Sequence, residues 1–415
     1  AVAEPGVRSL GLDVRFSAPR ATVVLQVANR SWADRRGIAA GAVVERLNRE
    51  PVSRMTKAEF QRAIGQRPLH VEFSRTMTAP RLTAALRMVR GPSDVLDLIE
   101  PYVGSSFFNQ IHAAAAFYYM GERSDSAAPA EDAFANTKRF LLFLQTAKQM
   151  FSNNDARELC NIIWSLGRLH DHVASFSDVF PNLVEATLQK LPSFSAWQAA
   201  TALWGVAKAR KGAPELLALA DPLAQRFAER ASEANEQGVS NAVWAAGVLL
   251  RSDSDVAQGL VAAAMPVARR LVTQMTPQAL CNSCTGFIVL GAQDKEWMRL
   301  VSTRVSVDLS GAGGRKKRAW NACMDLPPIV WANARLGVKN NEIVQATLQH
   351  VGPALDRESK VSHWSVLALL GSLCEVGAGD AHDDFLRRLD RERARRGLRA
   401  EDVPRAMLLG PSAWQ

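Results

Sequence analysis

Apolar and polar positions along most of this chain follow a helical spacing that repeats every 40 residues. Trp164, Trp204 and Trp244 lie at that interval. The apolar positions around the three tryptophans also coincide, in the columns Leu159/Ala199/Val239, Ile163/Leu203/Val243 and Leu166/Val206/Ala246. Steps of three and four residues place these columns on one side of an α-helix. The pattern therefore predicts a series of amphipathic helices that pack side by side.

Weaker copies extend the pattern in both directions. The predicted repeat helices lie near residues 109–121, 157–170, 196–210, 237–250, 278–291, 325–337 and 361–373. In the first of them we expect His112 at the tryptophan position. Most are followed by a turn and a second amphipathic stretch, as at 181–191, 215–231 and 255–275. Such helix pairs bury their apolar faces only by stacking, so we predict an α-solenoid over residues 77–400 and a C-terminal tail over 401–415.

The N-terminal part of the chain has a different pattern. Short alternating or apolar runs at 22–28, 43–47 and 69–73 predict strands, and residues 57–64 predict a short helix. We therefore expect a separate small α+β domain over residues 1–76. The overall fold class is predicted to be mainly α.

Composition is consistent with a globular chain of two parts. Of the 415 residues 47% are hydrophobic and 22% are charged, which is typical of folded proteins. No apolar run approaches the roughly 18 residues that a membrane span needs, so we expect none. The five cysteines are few and scattered, which favours a reducing compartment. Cys281 and Cys284 form a single CxxC on a predicted helix. They are interpreted either as small core residues or as part of a zinc or redox site.

The small domain resembles a PDZ domain. Ser9-Leu10-Gly11-Leu12 is similar to the carboxylate-binding loop of that family, and residues 33–44 are similar to its glycine-containing turn between strands. The resemblance implies a peptide groove lined by Leu10, Gly11, Leu12, Thr56 and Phe60. An acidic residue usually follows the second glycine of that turn, whereas this chain has Ala42 after Gly41. The groove is expected to bind either a free C terminus, another protein surface or the helical part of this chain.

The helical repeats resemble the octotricopeptide family and the related repeats of RAP and FAST-kinase-like proteins. The resemblance rests on segments such as Asn161-Ile-Ile-Trp-Ser-Leu-Gly-Arg-Leu169 and on the repeat length. It implies an RNA-binding protein of chloroplasts or mitochondria that acts in RNA stability, processing or translation. Some members of these families are structural parts of organellar ribosomes. No RAP domain follows the repeats, so the RNA cleavage attributed to that module is not expected here.

The charge distribution gives only local support for RNA binding. The net charge is +9, but residues 1–76 carry +6 of it, which leaves +3 for the remaining residues. Because lysine and arginine supply most non-specific affinity for phosphates, we select basic residues near repeat-helix ends and one basic loop. These candidates are Arg168, Lys208, Arg210, Lys211, Arg335, Arg315, Lys316, Lys317 and Arg318. The alternative is that they are ordinary solvated positions.

A polar column three residues before each tryptophan position is a further candidate for RNA contact. It consists of Asn161, Thr201, Asn241 and Asn282. One polar side chain per unit is the periodicity of a base-reading code, and the alternative is a hydrogen bond to the backbone of the neighbouring repeat. The tryptophans themselves are interpreted as core anchors, with base stacking as the alternative.

The sequence indicates no catalytic centre. It contains no nucleophile, base and orienting group at motif spacing, so we expect no enzyme activity, no cofactor, no metal site and no small-molecule substrate. Two hypotheses remain for the function. The first is an organellar factor that binds single-stranded RNA and recruits a protein through the small domain, and the second is a scaffold or structural subunit of a large organellar assembly. We expect location in the chloroplast stroma or mitochondrial matrix, with a targeting segment that this chain does not contain.

Overall fold

A computed structural model describes residues 1–16, 22–39, 41–73, 77–105, 107–124, 137–169, 179–310, 320–338, 341–355, 361–376 and 380–403. The chain divides into two compact units. The first contains residues 1–190 and 208–216, and the second contains residues 191–207 and 217–415. Each unit is described separately below.

Helices dominate the structure. The α-helices in the described residues are α1 Trp32–Arg35, α2 Lys57–Gly65, α3 Ala79–Leu86, α4 Pro92–Ile99, α5 Gln110–Arg123, α6 Lys138–Lys148, α7 Ala156–Arg168, α8 Phe180–Lys190, α9 Ala196–Ala209, α10 Ala220–Glu229, α11 Glu236–Leu249, α12 Asp255–Leu271, α13 Pro277–Val289, α14 Lys295–Ser310, α15 Ala322–Arg335, α16 Asn341–Leu355, α17 His363–Val376 and α18 Asp380–Arg395. The prediction of a mainly helical chain with a small N-terminal sheet is confirmed. The seven predicted repeat helices lie in α5, α7, α9, α11, α13, α15 and α17.

The second stretch of one predicted helix pair has a different local structure. The pattern over residues 215–231 predicts one helix, but Pro214–Leu219 is a 3-10 segment and α10 begins only at Ala220. Pro222 lies in the first turn of α10, where a missing backbone N–H is tolerated. A continuous α-helix would need that N–H to bond to the carbonyl of Ala218, so the helix starts anew.

The N-terminal sheet is antiparallel, and the described residues contribute six short strands to it. They are β1 Val2–Ala3, β2 Leu12–Arg15, β3 Thr22–Val27, β4 Val43–Leu47, β5 Glu50–Pro51 and β6 Leu69–Phe73. The order across the sheet is β1-β6-β4-β3-β2, and β5 pairs with β4. Alternation in β6 buries Leu69 and Val71 and exposes His70, as expected for a sheet covered on one face. The helix α2 covers that face with the buried side chain of Phe60.

In the first unit, the sheet is joined to the helices by close backbone contacts. Gly41 has a φ of +88°, and its carbonyl accepts a hydrogen bond from the N–H of Met77 at 2.9 Å. A Cβ on Gly41 would clash with the carbonyl of Met77 and approach the ring of Phe107 to 2.8 Å. Only glycine fits this position without strain. The helices that follow pack as α3 and α4 on α5, α5 on α7, and α7 on α8.

His112 has a structural role near the start of α5. Its Nδ1 accepts a hydrogen bond from the N–H of Asn109 at 3.2 Å, and its Nε2 lies 3.1 Å from the carbonyl of Ala79, to which the neutral ring donates. The side chain is 1% exposed, and this burial lowers the pKa of His112 despite the bond to Ala79. A neutral imidazole therefore ties α5 to the start of α3.

In the second unit, alternate helices pack on one another. One series is α11 on α13, α13 on α15, and α15 on α17, and the other is α10 on α12, α12 on α14, α14 on α16, and α16 on α18. The close approach of α11 and α13 depends on Gly286, since a Cβ there would lie 2.6 Å from the carbonyl carbon of Val243 and 2.7 Å from its Cγ1. Gly247 faces Gly286 in the same interface. Small residues thus set the spacing of these helices.

Arginines link the second series of helices. Each extends from one helix to carbonyl groups near the end of an earlier helix or segment. Arg226 on α10 donates to Phe194, Arg270 on α12 to Ser232, Arg304 on α14 to Val272 and Thr273, and Arg388 on α18 to Gly352. The last carbonyls of a helix have no partner within it, so these guanidinium groups act as C-terminal caps between helices. The positive charges of these four arginines are therefore committed to structure.

The carboxylate of Glu392 on α18 is a buried centre of charge. Arg395 donates to it at 2.8 Å and Arg396 at 2.6 Å. These hydrogen bonds, that of Arg395 foremost, lower the pKa of Glu392 from 4.5 to about 2. The folded state therefore binds the proton more weakly than the unfolded chain does.

The Glu392 ion pairs are expected to make unfolding depend on acidity. Their stabilisation is complete above the ordinary pKa of 4.5 and is lost as the pH falls from there toward about 2. We expect Glu392→Gln to lower the free energy of unfolding at pH 6 and to have a much smaller effect near pH 3. Urea denaturation of both proteins at the two pH values measures this difference. An equal destabilisation at both values would contradict it, and Glu401→Gln, an exposed substitution, is the control.

Candidate nucleic-acid interface

One face of α7 presents basic, amide and aromatic side chains in line. Asp155 caps the helix in a capping box with Glu158, and Leu159, Ile163 and Leu166 are buried. The opposite face carries Arg157, Asn161, Trp164 and Arg168, at steps of three and four residues. Arg157 is exposed and the other three are partly buried. We call these four residues the α7 stripe.

The indole of Trp164 is part of a stack. The ring of Tyr118 on α5 lies nearly parallel to it, with 5.5 Å between centroids and an angle of 28°. The guanidinium carbon of Arg168 lies 5.9 Å from the centroid of the Trp164 ring, a distance typical of a cation–π contact. Arg168 also donates through Nε to the carbonyl of Gly121 at 3.4 Å. Tyr118, Trp164 and Arg168 therefore form one partly exposed platform of stacked groups.

Tyr118 is oriented by its own helix. Its hydroxyl donates to Glu122 at 3.2 Å. Burial and the neighbouring charge of Glu122 raise the pKa of Tyr118, so the phenol stays neutral and can present its ring for stacking. The close packing of α5 on α7 has a simple cause, since a Cβ on Gly121 would lie 2.8 Å from the Cα of Ser165.

The expectation that His112 takes the tryptophan position is wrong. Tyr118 is the ninth residue after the N-cap Asn109, as Trp164 is after Asp155 and Trp244 after Asn235. That expectation aligns Asn109 with Asn161, since each lies three residues before the assigned position. However, Asn109 is the N-cap of α5, whereas Asn161 lies within α7. Tyr118 was therefore missed, although an aromatic residue nine positions after a capping asparagine was a usable signal.

The polar column has a mixed environment. Asn161 and Asn282 are partly exposed, and their side-chain amides make no hydrogen bond within the part of the chain that the structure describes. The side-chain oxygen of Asn241 accepts from Gln237 of the same helix at 2.9 Å, and Thr201 is buried. Among these described contacts, none of the three asparagine side chains bonds to the backbone of a neighbouring helix. Within the described residues, the amides of Asn161 and Asn282 are available to an external partner.

The tryptophans of the repeats differ in burial. Trp164 and Trp204 are partly exposed, whereas Trp244 and Trp331 are buried. Trp331 packs edge to face on Trp364 with centroids 6.0 Å apart. The core-anchor interpretation thus fits the later tryptophans better than Trp164.

The other predicted basic residues lie near the ends of two helices and in one predicted loop. Lys208 and Arg210 are partly buried near the end of α9, and Lys211 follows them exposed. Arg335 is exposed in the last turn of α15. The basic loop of Arg315, Lys316, Lys317 and Arg318 lies outside the described residues. Arg157 was not predicted, although its position four residues before Asn161 places it on the same helix face.

The predicted peptide-groove residues differ in burial, backbone conformation and hydrogen bonding. Leu10 and Phe60 are buried, Gly11 has a φ of +66°, and Leu12 begins β2 half-buried. Thr56 is the N-cap of α2, where its hydroxyl and N–H bond to Glu59. The Thr56 hydroxyl is thus engaged within its own capping box.

The cysteine pair belongs to the helix packing. Burial raises the pKa of Cys284 to about 12 and raises that of Cys281 well above its usual value. Both are therefore thiols at neutral pH. In the described part of the chain no three His, Cys, Asp or Glu side chains are placed to hold a metal ion.

No protein-family model and no curated protein matches this chain. None of the described helices combines the length and apolar character needed to cross a bilayer.

Proposed function

We propose that this chain is an RNA-binding α-solenoid similar to octotricopeptide proteins, which acts in RNA stability, processing or translation in the chloroplast stroma or mitochondrial matrix. The α7 stripe is the observation that carries the proposal. It places the backbones of two arginines about 16 Å apart along the helix, with an amide and a stacked indole between them. Guanidinium groups neutralise phosphates, and aromatic and guanidinium planes stack on bases.

The chemistry of the stripe favours single-stranded RNA over a duplex. Bases in a helix stack on one another and hide their faces, whereas unpaired bases can extend the platform of Tyr118, Trp164 and Arg168. In the second unit Asn241 and Asn282 lie on adjacent packed helices. The amide of Asn282 can pair with the edge of a base, and so can the N–H groups of Asn241. In this proposal the helices bind the RNA, and the sheet domain recruits a protein partner to it.

We expect loss of the stripe to weaken RNA binding strongly. Trp164→Leu removes the stacking surface and is expected to weaken binding by about fivefold to a hundredfold, the range for one stacked base. Arg157→Gln combined with Arg168→Gln is expected to flatten the salt dependence of binding by up to about one unit of slope for each lost phosphate contact. Fluorescence anisotropy with a labelled, random-sequence single-stranded RNA, titrated at several salt concentrations, measures both effects.

Arg251→Gln is the matched control for the stripe. The Arg251 side chain is 84% exposed and bonds to Asp253, so its loss changes the net charge without touching α7. We expect it to leave RNA affinity nearly unchanged. Equal losses for Arg251→Gln and for the stripe variants would contradict a specific site. Circular dichroism of each variant confirms that the helices are retained.

A groove between α14 and α16 favours the second candidate, a scaffold or structural subunit of a large organellar assembly. It has a volume of about 340 Å³ and combines the apolar side chains of Val307, Leu309 and Ala346 with the polar ones of Gln345 and Gln349. Crosslinking and immunoprecipitation from the native cell, followed by RNA sequencing and mass spectrometry, separates the two candidates. Recovery of protein subunits without a specific transcript would overturn the RNA proposal.

A further inference from the structure

Three exposed arginines lie on one short segment of the sheet domain. Arg30 is in the turn after β3, Arg35 is the last residue of α1, and Arg36 follows it. The guanidinium group of Arg35 donates through Nη1 to the carbonyl of Arg30 at 3.4 Å, which brings its charge beside the backbone of Arg30. We call Arg30, Arg35 and Arg36 the α1 arginine patch.

The patch is fixed to the rest of the sheet domain. The N–H of Ala33 donates to the carbonyl of Leu10 at 3.1 Å. Trp32 is 6% exposed, and its Nε1 donates to the carbonyl of Val2 at 3.2 Å. The guanidinium carbon of Arg36 lies 6.0 Å from the centroid of the Trp32 ring, which is within reach of a cation–π contact. The segment therefore presents its charges from an ordered base.

The charges of the patch have no carboxylate partner. None of the three guanidinium groups forms an ion pair with the described residues. Asp34 is the only acidic residue between positions 28 and 38, and its Oδ2 accepts a hydrogen bond from the N–H of Arg30 at 2.7 Å. Three arginines and one aspartate leave this segment with a net charge of +2. In contrast to the arginine caps of the second unit, these guanidinium groups are open to an external anion.

The backbone of Arg30 is strained. Its φ of +58° lies in the left-handed region, which favours glycine and disfavours residues with a long side chain. Stability alone would therefore select glycine at this turn. A larger side chain kept at such a position indicates a role outside folding.

The residue type indicates the kind of anion. Of the 13 basic residues in positions 1–76, 12 are arginine. The planar fork of arginine binds a phosphate through two parallel hydrogen bonds and also stacks on bases, whereas lysine supplies a point charge. A carboxylate accepts the same fork, so an acidic protein is the competing class. RNA is favoured because the same compact unit carries the α7 stripe, and a strand that contacts both surfaces gains affinity from the second contact.

We propose that the α1 arginine patch is a second RNA-binding surface, which holds phosphates of single-stranded RNA while the α7 stripe stacks on its bases. This inference rests on the proposed RNA-binding function. It gives the sheet domain a part in RNA binding in addition to the recruitment of a protein.

The first test removes the charge of the patch in the full chain. The patch variant combines Arg30→Gln, Arg35→Gln and Arg36→Gln, and it is titrated with a labelled, random-sequence single-stranded RNA at several salt concentrations by fluorescence anisotropy. We expect binding about tenfold weaker at low salt, and a salt dependence flattened by up to about one unit of slope for each lost phosphate contact.

The matched control removes the same charge from other elements of the sheet domain. It combines three substitutions at exposed positions, Arg46→Gln, Arg54→Gln and Arg62→Gln. We expect this control to weaken binding by less than about threefold, since only the general attraction of the domain is reduced. Equal losses in the two triple variants would overturn the patch.

Arg30→Gly separates binding from folding. Glycine relieves the left-handed backbone, so we expect the melting temperature followed by circular dichroism to stay the same or rise while RNA affinity falls by a few-fold. Arg30→Lys keeps the charge and is expected to retain most of the affinity. A lower melting temperature together with the weaker binding of Arg30→Gly would assign Arg30 a structural role and overturn its place in the patch.

Two further comparisons separate this inference from the proposed function and from the competing class. A loss in the patch variant without one in Trp164→Leu would overturn the α7 stripe and support the patch, and the reverse result would overturn only the patch. Labelled poly-glutamate with the same number of charges as the RNA tests the acidic-protein class. If poly-glutamate bound the unaltered chain as tightly as the RNA and lost that binding in the patch variant, the assignment to RNA would be overturned.

Discussion

Gly286→Val is expected to destabilise the second unit by about 3 kcal/mol, because overpacking a close helix contact forces backbones apart. A Cβ at this position would clash with the carbonyl oxygen of Val243 and lie 2.6 Å from its carbonyl carbon. These are main-chain atoms of α11, so no side-chain rotation relieves the clash. The two helices must therefore separate, and this disturbs the packing of α13, which buries Leu280 and Phe287.

The matched control is Gly259→Ala on α12. A Cβ at Gly259 meets no atom within 4 Å, and alanine has a higher helix propensity than glycine by about 1 kcal/mol. We therefore expect Gly259→Ala to raise stability slightly. Amide hydrogen exchange measured by mass spectrometry, peptide by peptide over α11 and α13, reports the local loss in Gly286→Val. Unchanged protection of these two helices would show that the contact is not tight.

The positions of the repeat helices could be predicted because burial on one face repeats in the sequence itself. The columns through Leu159, Ile163 and Leu166 reflect that burial directly, and helix periodicity is a local property. The role of Gly286 could not be predicted in the same way. A glycine inside a helix shows its purpose only when the backbone of the neighbouring helix is known, since the sequence does not contain the register between two helices.

The candidate interface was predicted only in part, for similar reasons. Asn161 and Arg168 follow from the periodicity of a single helix. The stack of Tyr118 on Trp164 depends on how α5 aligns with α7. Aligning Asn109 with Asn161 places His112, and not Tyr118, at the tryptophan position. The short strand β2 was also missed, because four residues are too few to show alternation against a bulge between Asp13 and Val14.

The arginine caps explain why a net charge of +3 for residues 77–415 is a poor guide to RNA binding. Arg226, Arg304 and Arg388 are drawn to helix carbonyls by geometry that composition does not reveal. Arg157 is an exposed residue outside such caps. Exposure and partners, rather than the sum of charges, therefore distinguish an RNA-facing arginine from a structural one in the described part of this chain.

Arg304→Met is expected to cost about 3 to 5 kcal/mol of stability, the range for breaking one partner of a buried ion pair. The Arg304 side chain is 9% exposed and donates to Asp308 at 2.9 Å, while Asp308 also accepts from Trp320 at 3.3 Å. Methionine fills a similar volume but removes the cation that pairs with Asp308. It also leaves the carbonyls of Val272 and Thr273 without the donor that Arg304 supplies.

Arg270→Met is the matched control, because Arg270 makes the same kind of link to Ser232 at an exposed site. We expect it to cost less than about 1 kcal/mol, since water replaces the lost bond. Urea denaturation followed by tryptophan fluorescence measures both variants, and similar losses for the two would mean that burial does not set the strength of these caps.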